Sequence, residues 1–251
     1  MSTTKRLTKR EKRILKQNGE LEGQDKPSFT SPNFKLANIQ AITENQQKTF
    51  DAFEQNKHLM LHGMAGTGKT FVSMYLALKE LMNGASAQNK IFIIRSVVPT
   101  RDMGFLPGNQ KEKMKVYEAP YIAICSELYK RGDAYEVLKQ KGAIEFMSTS
   151  FVRGTTLNDC YVIVDEINNM TFHELDSVIT RIGKNCRVIF CGDFRQSDLT
   201  RDQERNGLRD FINIINRLSD FEYIDFKEKD IVRSKLVKEY IITREKLGVQ
   251  A

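Results

Sequence analysis

Short apolar runs alternate along this chain with longer segments whose apolar positions recur at helical spacing. The runs His58–His62, Ile91–Ile94, Ala143–Met147, Tyr161–Val164, Arg187–Cys191 and Phe221–Phe226 read as strands. Ile91-Phe-Ile-Ile and Tyr161-Val-Ile-Val have no polar alternation, the pattern of strands covered on both faces. Helices are expected from Thr43 to about Gln55, from Thr70 to near Asn83-Gly84, within 109–140, from Phe172 to Ile182 and from Leu208 to Leu218. Pro99 stops the second strand, and the Gly- and Pro-rich stretch 101–108 reads as a loop above the sheet. Strands alternating with helices predict an α/β fold: a mostly parallel sheet with helices on both faces and ligands at the carboxyl ends of its strands. Residues 1–30 are polar and interrupted by Gly19, Gly23 and Pro27, so they read as an arm, with one folded domain over 31–251.

Between the first strand and its helix lies Gly63-Met64-Ala65-Gly66-Thr67-Gly68-Lys69-Thr70, which fits the phosphate-binding loop G-x-x-x-x-G-K-[ST] at every specified position. Its glycines allow the backbone to approach phosphates closely, and the helix N-terminus and Lys69 supply positive charge. Thr70 is then placed to ligate Mg²⁺. That cation needs a carboxylate at the end of a buried strand, which Asp165 supplies after Tyr161-Val-Ile-Val. Glu166 follows at once, and a second carboxylate there can orient or deprotonate an attacking water. After the strand ending in Phe190-Cys191 comes Gly192-Asp-Phe-Arg-Gln196, where Gln196 offers an amide donor and acceptor to the γ-phosphate. The order P-loop, Asp-Glu, Gly-Asp-x-x-Gln points to nucleotide hydrolysis.

Composition narrows this picture. A chain of 251 residues with 40% hydrophobic content suits one large core. No apolar run reaches membrane-spanning length, the N-terminus lacks the apolar segment of a signal peptide, and a cytoplasmic location is expected. Cys125, Cys160, Cys186 and Cys191 form no C-x-x-C pair, and His58, His62 and His173 have no metal-ligand spacing. The net charge of +7 is uneven: residues 1–16 hold seven of the 39 Lys and Arg but one of the 32 Asp and Glu. That arm suits contact with nucleic-acid phosphates, or is simply a solvated tail. Neither Asn56-Lys57 nor Asn89-Lys90 continues as N-K-x-D, so a guanine-reading carboxylate is missing.

These motifs, together with Gly104-Phe-Leu-Pro-Gly108, Arg153-Gly-Thr-Thr-Leu-Asn-Asp159 and Thr180-Arg-Ile-Gly183, resemble the PhoH-like proteins. This is a family of P-loop ATPases whose core is similar to the first motor domain of superfamily 1 helicases. The chain departs from the family at Ile167-Asn168-Asn169, where Ala-Gln-Asn is usual, and at Phe194, where Pro is usual. The resemblance implies a RecA-like three-layer fold that uses ATP and Mg²⁺ and acts on RNA or single-stranded DNA, RNA ahead of DNA. It also implies a ring of copies, expected to be a hexamer, because too little chain follows Phe226 for a second motor domain.

Residue by residue, the resemblance assigns Gln46 to the adenine edge, although Thr43 and Gln46 also fit a helix capping box. It assigns Arg233 to the γ-phosphate, with Arg181 reaching a neighbouring subunit's site; either arginine could instead be an ordinary surface residue. Arg95, Thr100, Arg101, Arg153 and Thr155 would contact the strand. Two other classes compete: a nucleotide-binding scaffold that hydrolyses little, and a small-molecule phosphotransferase, against which Glu166 and Gln196 count.

Overall fold

A computed structural model describes residues 34–84, 86–97, 110–193 and 202–249. The basic arm, the segment with Thr100, Arg101 and Gly104–Gly108, and Phe194 with Gln196 lie outside the described residues. Helix α1 (Glu44–Glu54) leads to β1 (His58–Gly63), α2 (Lys69–Asn83) and β2 (Lys90–Arg95). Next come α3 (Gln110–Tyr129), α4 (Ala134–Gln140), β3 (Ile144–Ser148), the single turn α5 (Thr149–Val152) and β4 (Cys160–Asp165). A 3₁₀ turn at Ile167–Asn169, α6 (Phe172–Ile179), β5 (Arg187–Gly192), α7 (Asp202–Ile215), β6 (Phe221–Phe226) and α8 (Lys235–Lys246) complete the order.

All six expected strands form, and they make one sheet in the order β3-β2-β4-β5-β1-β6 with every pairing parallel. Period-two geometry sends successive side chains to opposite faces. Leu59, Leu61, Ile163, Ile189 and Phe226 join Phe53, Tyr75, Leu76, Tyr121 and Leu138 from α1 to α4 in one core. Met60, Val162, Val164, Val188 and Phe190 join Leu175 and Val178 of α6 and Leu208, Phe211 and Ile215 of α7 in the other. This is the three-layer P-loop NTPase architecture, and it explains why the central strands tolerate no polar alternation.

Apart from the unexpected single turn α5, the helices differ from expectation at four points. The helical stretch 109–140 is two helices, broken where Lys130 takes a φ of 53° ahead of Arg131-Gly132-Asp133. Helix α6 ends at Ile179 rather than Ile182, because Leu157 N–H donates to Arg181 O at 2.9 Å and Gly183 N–H donates to Leu157 O at 2.7 Å. Those bonds draw 181–183 into a parallel bridge with Leu157. Helix α7 begins earlier than Leu208 and stops at Ile215, where Arg217 and Leu218 N–H groups switch to carbonyls three residues back.

The fourth difference is α8, which was not expected. Its Ile241 packs with Met64 and Ile231 in a small separate cluster over the P-loop. Among the described residues no helix is long and apolar enough to cross a membrane.

Candidate active site

Strands β4, β5 and β1 are neighbours, so the segments leaving their carboxyl ends converge. The P-loop follows β1, Asp165 and Glu166 follow β4, and Gly192-Asp193 closes β5. Together with Gln46, Arg95, Pro120, Val232 and Arg233 they line a cleft of about 780 Å³, within the usual range for small-molecule sites.

Gly66 and Gly68 adopt φ values of 73° and 84°, which curl the loop into the left-handed region open to glycine. Gly68 is the N-cap of α2 and has no side chain to bond the first-turn N–H groups. They retain the donor capacity and dipole that favour an anion. Lys69, only 9% exposed, donates through Nζ to Gly63 O at 2.6 Å and Met64 O at 2.8 Å. Burial lowers its pKa, while Asp193, Cys191, Glu166 and Asp165 act in the opposite direction. A phosphate arriving here would compete with neutral carbonyls for this ammonium, an exchange that charge favours.

Asp165 is 4% exposed and accepts from Thr70 Oγ1 at Oδ1 and from Tyr121 Oη at Oδ2, each at 2.9 Å. Paired hydroxyl and carboxylate oxygens fit a hard cation such as Mg²⁺. No cluster of three or more His, Cys, Asp or Glu suited to a metal occurs among the described residues. A cation there would take its other oxygens from phosphate and water, as Mg²⁺ commonly does. Glu166 has φ 52° and ψ 47°, a left-handed conformation uncommon for a residue with Cβ and the kind of strain that concentrates at functional sites. Burial, followed by the Asp165 charge, raises its pKa, whereas Arg95 and Lys69 lower it.

The atypical Ile167-Asn168 pair has a structural role. Ile167 is buried in the second core, and Asn168 Oδ1 accepts from Asp193 N–H at 3.3 Å, tying the turn after Glu166 to the end of β5. Gln46 does not close the capping box that competed with its adenine role. Thr43 Oγ1 accepts from Gln46 N–H, but Gln46 Oε1 accepts from Ile42 N–H at 3.0 Å and Nε2 donates to Thr67 O at 3.1 Å. The side chain thus braces the P-loop and still has one amide hydrogen and one lone pair available in the cleft.

Val232 N–H donates to Gly66 O at 3.0 Å, and this holds Arg233 over the loop; a Cβ added at Gly66 would lie 2.9 Å from Arg233 Cγ.

The family model for PhoH-like proteins matches residues 38–244. This chain belongs to the PhoH-like protein family. It is 33% identical over 206 residues to the PhoH-like protein of Mycobacterium leprae (strain TN), covering 81% of this chain and 57% of that one. It is 34% identical over 211 residues to the PhoH-like protein of Bacillus subtilis (strain 168), covering 83% and 65%. The chain therefore spans less than two thirds of the length of these PhoH-like relatives. Among solved structures, the large terminase from a thermophilic bacteriophage superposes with a TM-score of 0.51 at 12% identity, over 80% of this chain and 50% of that one. That likeness concerns the fold.

Of the residues singled out from the PhoH-like motifs, Gln46, Ala65 to Thr70, Arg95, Asp165, Glu166 and Arg233 meet at the cleft. Gly63 and Met64 do not line it, but their carbonyls hold Lys69. Arg181 does not line the cleft; it follows the C-terminal end of α6, where its carbonyl accepts from Leu157 N–H. Arg153 and Thr155 are exposed beyond α5 and also stand apart from it.

Two residues escaped the sequence reading. Tyr121 lies within the stretch 109–140, which reads only as helical. Glu174 is the other, and its carboxylate collects Ser96 Oγ at 3.0 Å, Thr149 Oγ1 at 2.6 Å, and Thr171 N–H and Oγ1 at 2.9 and 3.0 Å. Burial works to raise its pKa, but hydrogen bonds led by that from Thr149 outweigh burial and lower it. Only its Thr171 cap was legible from spacing.

Proposed function

We propose that this chain binds ATP with Mg²⁺ and hydrolyses it, and that hydrolysis drives remodelling of, or movement along, RNA or single-stranded DNA, RNA ahead of DNA. The observation that carries the nucleotide half is the convergence of Lys69, Thr70, Asp165 and Glu166 on one cleft beside the P-loop. Thr70 and Asp165 would hold Mg²⁺, which would neutralise charge on the β- and γ-phosphates. Lys69 turns from the loop carbonyls to a phosphate oxygen. Glu166 orients the attacking water and takes its proton. Arg233 meets charge developing on the γ-phosphate, and Gln196 contacts the same group. Gln46 reads the base with its remaining amide hydrogen and lone pair.

The nucleic-acid half rests on the family resemblance and on the Glu174 junction. Ser96 follows β2 and Thr149 opens α5, so one carboxylate on the helix after Glu166 gathers the starts of both candidate strand-binding segments. Arg153 and Thr155, exposed just beyond α5, are the proposed contacts with the strand. A ring of copies, a hexamer, would bring Arg181 to a neighbour's cleft. Residues 31–251 constitute the ATPase domain and residues 1–30 an arm that adds non-specific charge attraction.

The test is phosphate release from ATP with and without single-stranded RNA and DNA. Stimulation of several-fold or more is expected. Tight ATP binding with negligible, unstimulated release would instead identify a scaffold.

Arg95 provides a second prediction. The sequence groups it with strand-contacting residues, yet its side chain lines the nucleotide cleft, with the guanidinium carbon 5.9 Å from the Tyr117 ring centre. Arg95→Ala is expected to lower ATP turnover about tenfold or more, as loss of a charge-stabilising group does, while RNA affinity changes less than about twofold. Normal basal turnover with weakened RNA binding would return Arg95 to the strand-binding set.

A further inference from the structure

Asp165 is a buried carboxylate without an ion pair among the described residues; two neutral hydroxyls, from Thr70 and Tyr121, donate to it. Lys69 acts on it only through space, so no cation among those residues touches the carboxylate directly, and an incoming metal ion would make that contact. We propose that Tyr121 is a positioning residue for the metal site, fixing the direction of the Asp165 carboxylate from the side opposite Thr70. This rests on the nucleotide-binding reading above and specifies how its metal ligand is held.

The geometry gives each carboxylate oxygen its own donor. Thr70 lies in the first turn of α2 and Tyr121 in the middle of α3, so two separate helices hold the plane of the carboxylate. Only one lone pair per oxygen is used, which leaves the others for a cation or its bound water. Tyr121 is fully buried, and a phenol at the end of a packed ring has little freedom to follow a rotating acceptor.

A plain alternative is that a buried phenol merely needs an acceptor. Tyr135 provides the comparison within the same core. It is equally buried and donates to Glu118 Oε2 at 2.7 Å, but that oxygen also takes Lys139 Nζ at 2.6 Å, so the Glu118 charge is already paired.

The experiment compares wild type, Tyr121→Phe and Tyr135→Phe, each as the full chain. ADP affinity is measured in EDTA, and Mn²⁺ affinity of the ADP complex is measured from free Mn²⁺ by electron paramagnetic resonance. Tyr121→Phe is expected to keep ADP affinity in EDTA within about twofold and to weaken Mn²⁺ binding about tenfold, the usual scale for losing an outer-shell partner. Tyr135→Phe is expected to leave both affinities unchanged. Unaltered Mn²⁺ binding in Tyr121→Phe overturns the proposal, as does equal weakening in the two variants, which would mark a general effect of core loosening. Wild-type protein that binds ADP but gains no Mn²⁺ site also overturns it while leaving nucleotide binding intact. Wild-type protein that binds neither removes the nucleotide reading and this one together.

Discussion

Glu166→Gln protein is expected to bind ATP with nearly wild-type affinity and to release phosphate at least about a hundredfold more slowly, the usual contribution of a positioned general base. The substitution keeps the side-chain length and one acceptor oxygen, replaces the other oxygen with an NH₂ donor, and removes the charge and the ability to accept a proton. It is unusually specific here because the strained left-handed backbone at Glu166 is set by the 3₁₀ turn that follows, where Asn169 N–H donates to Glu166 O at 3.0 Å. Asn168 and Ile167 also hold that turn against β5 through contacts of their own. The binding residues Lys69 and Thr70 lie on a different element. Equilibrium binding of a fluorescent ATP analogue and single-turnover phosphate release separate the two effects. Normal release by Glu166→Gln would require another base and would leave Glu166 at most a neutral hydrogen-bonding role.

The second large effect is structural. Gly63→Ala is expected to destabilise the fold by several kcal/mol, the range reached by substitutions that combine overpacking with backbone strain. A Cβ there would lie 2.0 Å from Phe226 O and 2.8 Å from Phe226 N and C, all backbone atoms of the paired strand. Nothing flexible can yield, so β6 must separate from β1 or the turn must change. The same carbonyl accepts from Met64 N–H at 3.0 Å, so the opening of the P-loop is displaced with it.

Gly84→Ala serves as the control. Gly84 also has positive φ, 66°, but no atom lies within 4 Å of an added Cβ. Its cost should be about 1–2 kcal/mol, the conformational penalty alone. Urea midpoints of the two variants test the contrast, and equal midpoints would show that the sheet yields at Phe226.

The strands were legible because parallel pairing buries both of their faces, which leaves uninterrupted apolar runs such as Val162-Ile-Val. The P-loop was legible because its shape requires glycine at fixed spacing, and Asp165-Glu166 because two acids end a wholly apolar strand. What stayed hidden depends on contacts between distant segments. Tyr121 is 44 positions from Asp165, and within its helix nothing distinguishes a phenol that reaches a carboxylate from one that fills space. Arg95 sits one residue past an apolar run, and only the register opposite Asp165 locates it at the cleft. The break at Arg131-Gly132-Asp133 was a readable turn signal overlooked within a long helical stretch. Helix α8 was missed because most of its surface faces water, with Leu236 and Tyr240 among its exposed residues, so it lacks the continuous apolar stripe that announces a packed helix.

The position of β1 in the sheet has a consequence for the growing chain. Among the strands of the described residues it is the first to emerge from a ribosome, yet it lies between β5 and β6, the last two of them to be made. A nascent chain that has just completed the phosphate loop has no neighbour on either side of the strand carrying it. Residues 187–192 and 221–226 must still be synthesised, and Val232 later still, before Gly66 acquires its backbone partner. Pairing so widely separated in sequence is a slow, late event in folding, so the nucleotide-binding role proposed for this loop would belong to the finished sheet.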